Sequence, residues 1–169
     1  MEILIRPTGL RMVEGRPRFL NLEELTDVDA ISVTANWNGF TILRGYASSP
    51  EWRDVLTEEL VQSCNLSNKV VALDGPEMML FLVPRTKGHG TTLKLITDLF
   101  VAIERHKIKT LDFTHYACLR GNLPEGEILE ILNFLFNPKL TTCLETLIWK
   151  VDARMEDEMR DLFFRSSRV

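Results

Sequence analysis

The chain reads as an α/β protein, mixed α+β in detail, with a central mixed sheet flanked by helices in a single domain spanning 1–169. Three observations carry that reading. From residue 69 onward, apolar runs of strand length alternate with amphipathic stretches in the order β-β-α-β-α-β-α, the pattern of helices covering a sheet with parallel pairs. The length of 169 residues suits one domain with a real core. At 45% hydrophobic and 26% charged the composition is globular, and no low-complexity stretch or linker divides it.

The elements follow in order. Residues 2–5 form a short strand, ended by Arg6-Pro7-Thr8-Gly9. Residues 10–29, with three arginines and then an acidic stretch, read as loop with room for one short helix. Residues 30–36 alternate and are β-prone, Asn38-Gly39 signals a tight turn, and 40–43 supplies the partner strand. Ser48 and Glu51 suit a capping box, with Pro50 tolerated in the first turn; Trp52, Val55, Leu56, Leu60 and Val61 give the helix its apolar stripe to about Cys64.

Residues 69–73 are a strand, Asp74-Gly75-Pro76 turns the chain, and 77–83 is a strand apolar on both sides, as a central position requires. The clearest helix is 91–106, where Leu93, Ile96, Leu99, Phe100 and Ile103 recur at three- and four-residue spacing. A strand at 108–113 follows, expected to lie parallel to and beside 77–83. Residues 125–136 form a helix apolar around most of its circumference, 144–151 a strand, and 153–164 a last amphipathic helix. Two passages, 91–113 and 125–150, look superficially like leucine-rich repeats, but two copies are too few.

Composition excludes several functions. The charge is 20 − 24 = −4, so a nucleic-acid coat is not expected. The longest apolar run, 78–84, is far short of the ~20 residues of a membrane helix, so no membrane partner is expected. The N-terminus lacks a basic start and apolar stretch, which makes the cytoplasm the expected compartment. Three widely spaced cysteines (64, 118, 143) and three scattered histidines (89, 106, 115) give neither a disulfide framework nor a metal site.

One constellation carries chemistry. Between strand 77–83 and helix 91–106 lies Arg85-Thr86-Lys87-Gly88-His89-Gly90. Glycines permit close approach of backbone to a ligand, and the loop feeds a helix N-terminus, where free N–H groups and the macrodipole favour an anion. From 85 to 109 there are six Lys or Arg against two acids, a local net of +4. A phosphate group is expected there. The Walker pattern GxxxxGK[ST] is absent, and GxGxxG fails at Leu93.

The R-x-x-G-x-G of 85–90, set after Val83-Pro84 and before Thr91-Thr92-Leu93, resembles motif A of the GCN5-related N-acetyltransferase (GNAT) superfamily. The resemblance covers 77–113, about a fifth of the chain, and implies a GNAT-like sheet that opens beyond residue 83. It also implies acetyl-coenzyme A as cofactor and N-acetyl transfer to an amine, of a small molecule or a protein. Leu82 and Val83 would pair with the pantetheine arm, and Arg85, Lys87, Gly88, His89, Gly90 and Thr91 would hold the pyrophosphate. Glu77 is the candidate base, with His115 as substitute, and Tyr116 the candidate acid for the leaving thiolate. Nothing marks Cys118 as a nucleophile. The competing reading is a non-catalytic GNAT-like or other α/β interaction module, with the apolar face of helix 153–164 serving a homodimer or protein partner.

Overall fold

A computed structural model describes residues 1–8, 10–13, 16–19, 28–35, 57–75, 78–84, 91–113, 125–152 and 156–167. The elements are β1 (Glu2–Thr8), β2 (Leu10–Val13), β3 (Arg16–Phe19), β4 (Ala30–Thr34), α1 (Glu58–Ser67), β5 (Val71–Asp74), β6 (Met79–Val83), α2 (Thr91–Arg105), β7 (Thr110–Phe113), α3 (Glu125–Leu135), β8 (Thr146–Asp152) and α4 (Glu156–Ser166). Six strands form one mixed sheet in the order β1-β8-β7-β4-β6-β5, and β2 and β3 form a separate antiparallel pair. Within the large sheet only the β5–β6 pairing is antiparallel. The expected α/β class holds.

Several elements differ from expectation. β1 runs on to Thr8, through Pro7. A proline lacks the ladder N–H, and β1 tolerates one because it pairs on one side only, with β8. Residues 10–19, expected as loop, contain the β2–β3 ribbon; frequent charge hides strand alternation in a ribbon outside the main sheet. The helix expected to run from about 49 to 64 cannot do so. Thr57 is extended and caps α1, its Oγ1 accepting from Leu60 N at 3.2 Å, and Glu58 and Glu59 suit the helix dipole. The Ser48–Glu51 capping box lies outside the described residues. α3 is amphipathic rather than wholly buried: Ile128, Ile131, Leu132 and Leu135 are buried, while Glu130 and Asn133 face solvent.

The main correction concerns neighbours in the sheet. The strands corresponding to 77–83 and 108–113 do not touch. β4 lies between them, parallel to both, with Ala30 opposite Met79 on one side and Leu111 on the other. α2, of 15 residues, spans about 22 Å, ample to carry the chain over an intervening strand. Both edges of β4 are therefore occupied over 30–32, which leaves no place there for the expected partner 40–43, itself outside the described residues. β4 and β6 stay paired through their last residues, where Ala35 N donates to Val83 O at 2.8 Å, and the stretch beyond, where an opening was expected, lies outside the described residues from 85 on.

Asp29 sets the register of β4. Its Oδ2 accepts from Lys109 N at 3.0 Å and Thr110 N at 3.3 Å; its own N–H reaches Thr110 Oγ1 at 2.8 Å, and its carbonyl accepts from Met79 N at 3.0 Å. Alternation then assigns the faces. Ile5, Trp149, Phe113, Ala30 and Phe81 share the face covered by α2, α3 and α4, in a single apolar cluster. Ile31, Val33, Leu80 and Leu82 belong to the opposite face, where α1 packs against β6. Connections running in opposite directions across the sheet thus carry helices on opposite faces, as one crossover hand requires. α4 is tied to the sheet edge by Arg160, which donates to Ile5 O at 2.9 Å.

α2 ends in a Schellman arrangement. Lys107 takes a left-handed conformation (φ 53°), Ile108 N donates to Ile103 O and Lys107 N to Glu104 O. Ile103 and Ile108 are both buried. A Cβ in that conformation costs about 1–2 kcal/mol, partly offset by the greater unfolded-state freedom of glycine. Lys107→Gly should therefore raise stability by about 0.5–1 kcal/mol in urea unfolding; a loss would show that the lysine side chain contributes more than its backbone costs.

Glu104, in the last turn of α2, holds the approach to β8. Its Oε1 accepts from Cys143 N at 2.7 Å. Hydrogen bonds from Thr142 and Cys143 hold its carboxyl below the ordinary 4.5. A carboxyl lowered in the folded state stabilises above its unfolded value and loses that contribution as pH falls through the lowered one. Stability should decline below about pH 4.5 partly through this group, and Glu104→Gln should flatten the acid limb of a stability–pH profile. An unchanged acid limb would assign the decline to other carboxylates.

Candidate functional site

The five parallel strands of the sheet all point one way, so their carboxyl ends gather along one edge. β4 continues toward β6 and β5, whereas its neighbour β7 continues toward β8. Outgoing connections that diverge leave a crevice between the strand ends, and in open α/β sheets ligands bind at such a switch point. The candidate site is the edge around the ends of β4 and β7, with the end of β6 beyond one and β8 beyond the other.

Described residues define its floor. Ala35 closes β4: its N–H binds Val83 O, and its carbonyl accepts from Asn65 Nδ2 of α1 at 2.8 Å. Ser32, fully buried, stands opposite Phe113 in the register. Phe113 packs edge-on against Trp149 of β8, ring centroids 5.0 Å apart. Trp149 is 1% exposed and its Nε1 has no hydrogen-bond partner. Asp112 is fully buried on the other face of β7. A carboxylate in mid-strand and a tryptophan in a central strand are signals visible in sequence, since both polar groups demand a partner when buried, yet the sequence alone assigns neither a role.

α2 carries the chain back from the end of β6, which puts its N-terminus at the same edge. Its first-turn N–H groups have no partner within the helix, and no acidic residue sits in that turn. Thr92, in the second helical position, is fully buried, and its Oγ1 has no hydrogen-bond partner among the described residues.

The basic cluster read along 85–109 divides in space. Lys94 is engaged by Asn68 O at 2.8 Å and Asp98 at 3.1 Å. Arg105, Lys107 and Lys109 lie at or past the far end of α2, about 22 Å from its start. The local net of +4 is a property of the sequence stretch and not of one surface.

Of the residues expected to act, Leu82 and Val83 are buried in the sheet, and their carbonyls accept from Cys64 Sγ (3.6 Å) and Ala35 N. A pantetheine arm has no free strand edge to join there. Thr91 opens α2. Glu77, Arg85, Lys87, Gly88, His89, Gly90, His115, Tyr116 and Cys118 lie outside the described residues. Among the described residues, no group of three or more His, Cys, Asp or Glu is placed to hold a metal ion, and no helix is long and apolar enough to cross a membrane.

The thiols of Cys64 and Cys143 are free. Burial pushes the Cys64 thiol up to about 11, and it donates to Lys69 O at 3.4 Å and to Leu82 O. Cys143 is also raised, first by burial and then by Glu104.

No protein-family model matches the chain, and no curated protein does. Solved structures do. A mutant of tomato leucine aminopeptidase is 11% identical with a TM-score of 0.53, over 98% of this chain; the chain spans about a third (35%) of that protein's length. The macrodomain of Thermus aquaticus DarG is 14% identical with a TM-score of 0.55, over 89% of this chain and 97% of its own. A Trypanosoma brucei macrodomain in complex with ADP is 12% identical with a TM-score of 0.51, over 98% of this chain and 68% of its own. At these identities the likeness is one of fold. It replaces the GNAT resemblance, and with it acetyl-coenzyme A and acetyl transfer to an amine, by a macrodomain fold. The stretch 77–113 misled because strand, glycine-containing loop, helix and strand follow one another in many α/β sheets; the strand inserted between the two was decisive and lay far upstream.

Cys64 supplies a test of the closed face. Alkylation at pH 8 should leave it unmodified in the folded protein and modify it in denaturant, because thiolate is scarce and the sulfur is buried. Native-state labelling of Cys64 as fast as of half-buried Cys143, read by peptide mass, would contradict the packing of α1 on β6.

Proposed function

We propose that this chain binds a nucleotide carrying a diphosphate, of the ADP class, at the carboxyl edge of its sheet. The observation that carries the reading is the switch point between β4 and β7 in a fold shared with a macrodomain that holds ADP. Its chemistry suits a mononucleotide. The first-turn amides of α2 donate to an anion, and the helix dipole favours negative charge at that end. Arg85 and Lys87 belong to the segment joining β6 to α2, so their place in the chain brings positive charge toward the same edge. The net charge of −4 favours a small ligand over a nucleic-acid polymer. The reading is of a binding domain. Cytoplasmic residence goes with it, supported by free thiols at Cys64 and Cys143 and by the cytoplasmic abundance of nucleotides.

ADP should stabilise the folded chain and release heat in titration, with adenosine much weaker. Ligand at about 100 times its dissociation constant adds about 2.7 kcal/mol by linkage. For a domain of this size that raises the melting temperature by about 5–10 °C. The shift should shrink as salt rises, since phosphate recognition is partly electrostatic. The absence of both shift and heat with millimolar ADP at low salt would overturn the proposal and favour the protein-interaction module.

A further inference from the structure

We infer that the Thr92 hydroxyl is a hydrogen-bond donor to a phosphate of the bound nucleotide, an inference that rests on the nucleotide-binding reading. Two independent observations meet at this residue. The first is its position: Thr92 is second in a 15-residue helix whose N-terminus faces the carboxyl edge of the sheet. Cα–Cβ bonds in a helix tilt toward its N-terminus, so this side chain leans toward the first-turn amides, which have no partner within the helix. The second is its state: the residue is fully buried, and Oγ1 has no hydrogen-bond partner among the described residues.

Threonine in this helix has a local way to satisfy its hydroxyl, and Thr97 takes it, donating to Leu93 O at 2.7 Å. The carbonyls one turn before Thr92 lie outside the described residues, and among the described residues none accepts from its hydroxyl. A buried hydroxyl without a partner destabilises the protein, so its presence needs a reason outside the empty fold. Lys94, two residues on, does not substitute for it, because its ammonium is held by Asn68 and Asp98. Among the described residues, recognition at this point therefore falls to backbone N–H groups and one neutral hydroxyl, donors suited to phosphate oxygens.

The test compares wild type, Thr92→Val and Thr92→Ser by calorimetric titration with ADP and with adenosine, and by melting without ligand. Valine keeps the shape and removes the donor. Its unliganded melting temperature should equal or exceed that of wild type, since an unpaired buried hydroxyl has gone. Its ADP affinity should fall about tenfold or more, the cost of one hydrogen bond to a charged group. Adenosine binding should be unchanged, and Thr92→Ser should recover most of the ADP affinity. A Thr92→Val protein that melts well below wild type would show a structural partner for the hydroxyl and overturn the inference. Equal ADP affinity in wild type and Thr92→Val, or an equal loss toward adenosine, would overturn it alone. A wild-type protein that does not bind ADP would overturn the nucleotide reading together with it.

Discussion

The fold depends on a clamp at Asp29. One residue hydrogen-bonds the start of β7 through its carboxylate and amide, and the start of β6 through its carbonyl. Because side chains alternate, a one-residue slip of β4 would exchange its two faces. Ala30 and Ser32 would then meet α1, and Ile31 and Val33 the helices of the other side. With every one of these residues fully buried except Asp29, that exchange has no room to occur. The clamp sits at the amino edge of the sheet, where it fixes geometry without occupying the edge at which ligand would bind.

From this arrangement the two edges of the sheet acquire different characters. At the amino edge polar groups are matched: Asp29 to β7, Glu104 to Cys143, Glu145 N and Thr146 N to Lys109 O. At the carboxyl edge Thr92 Oγ1, at the start of α2, finds no partner among the described residues, and Trp149 Nε1, in the middle of β8 beside Phe113, finds none there either. The first-turn amides of α2, which have no partner within the helix, lie at the carboxyl edge as well.

The likeness to macrodomains and the GNAT-like stretch differ in range. Residues 77–113 contain local information: a strand, a glycine-bearing loop, a helix and a strand in that order. An acetyltransferase sheet and a macrodomain sheet part company over which strand lies beside which. Here β4, about 45 residues upstream of β6, inserts between β6 and β7 and hydrogen-bonds both. Its insertion removes the free strand edge that acyl-coenzyme A would need. The phosphate expectation for the helix N-terminus survives as a proposal, because it never depended on the order of strands.

Sequence by itself determined the class and most of the elements. Helical apolar patterns marked α2, α3 and α4, and an unbroken apolar run marked β6, because burial imposes those patterns whatever the neighbours are. It determined the central burial of 79–83 for the same reason. It missed the β2–β3 ribbon, whose arginines interrupt the apolar pattern, and it misplaced the start of α1, where the Thr57 cap competes with a plausible serine cap upstream. Only the tertiary structure decided strand order, the division of the basic cluster between the two ends of α2, and which buried polar groups lack partners. Each of these depends on contacts between residues tens of positions apart, and strand pairing through backbone groups common to all residues leaves no side-chain record of which strand was chosen.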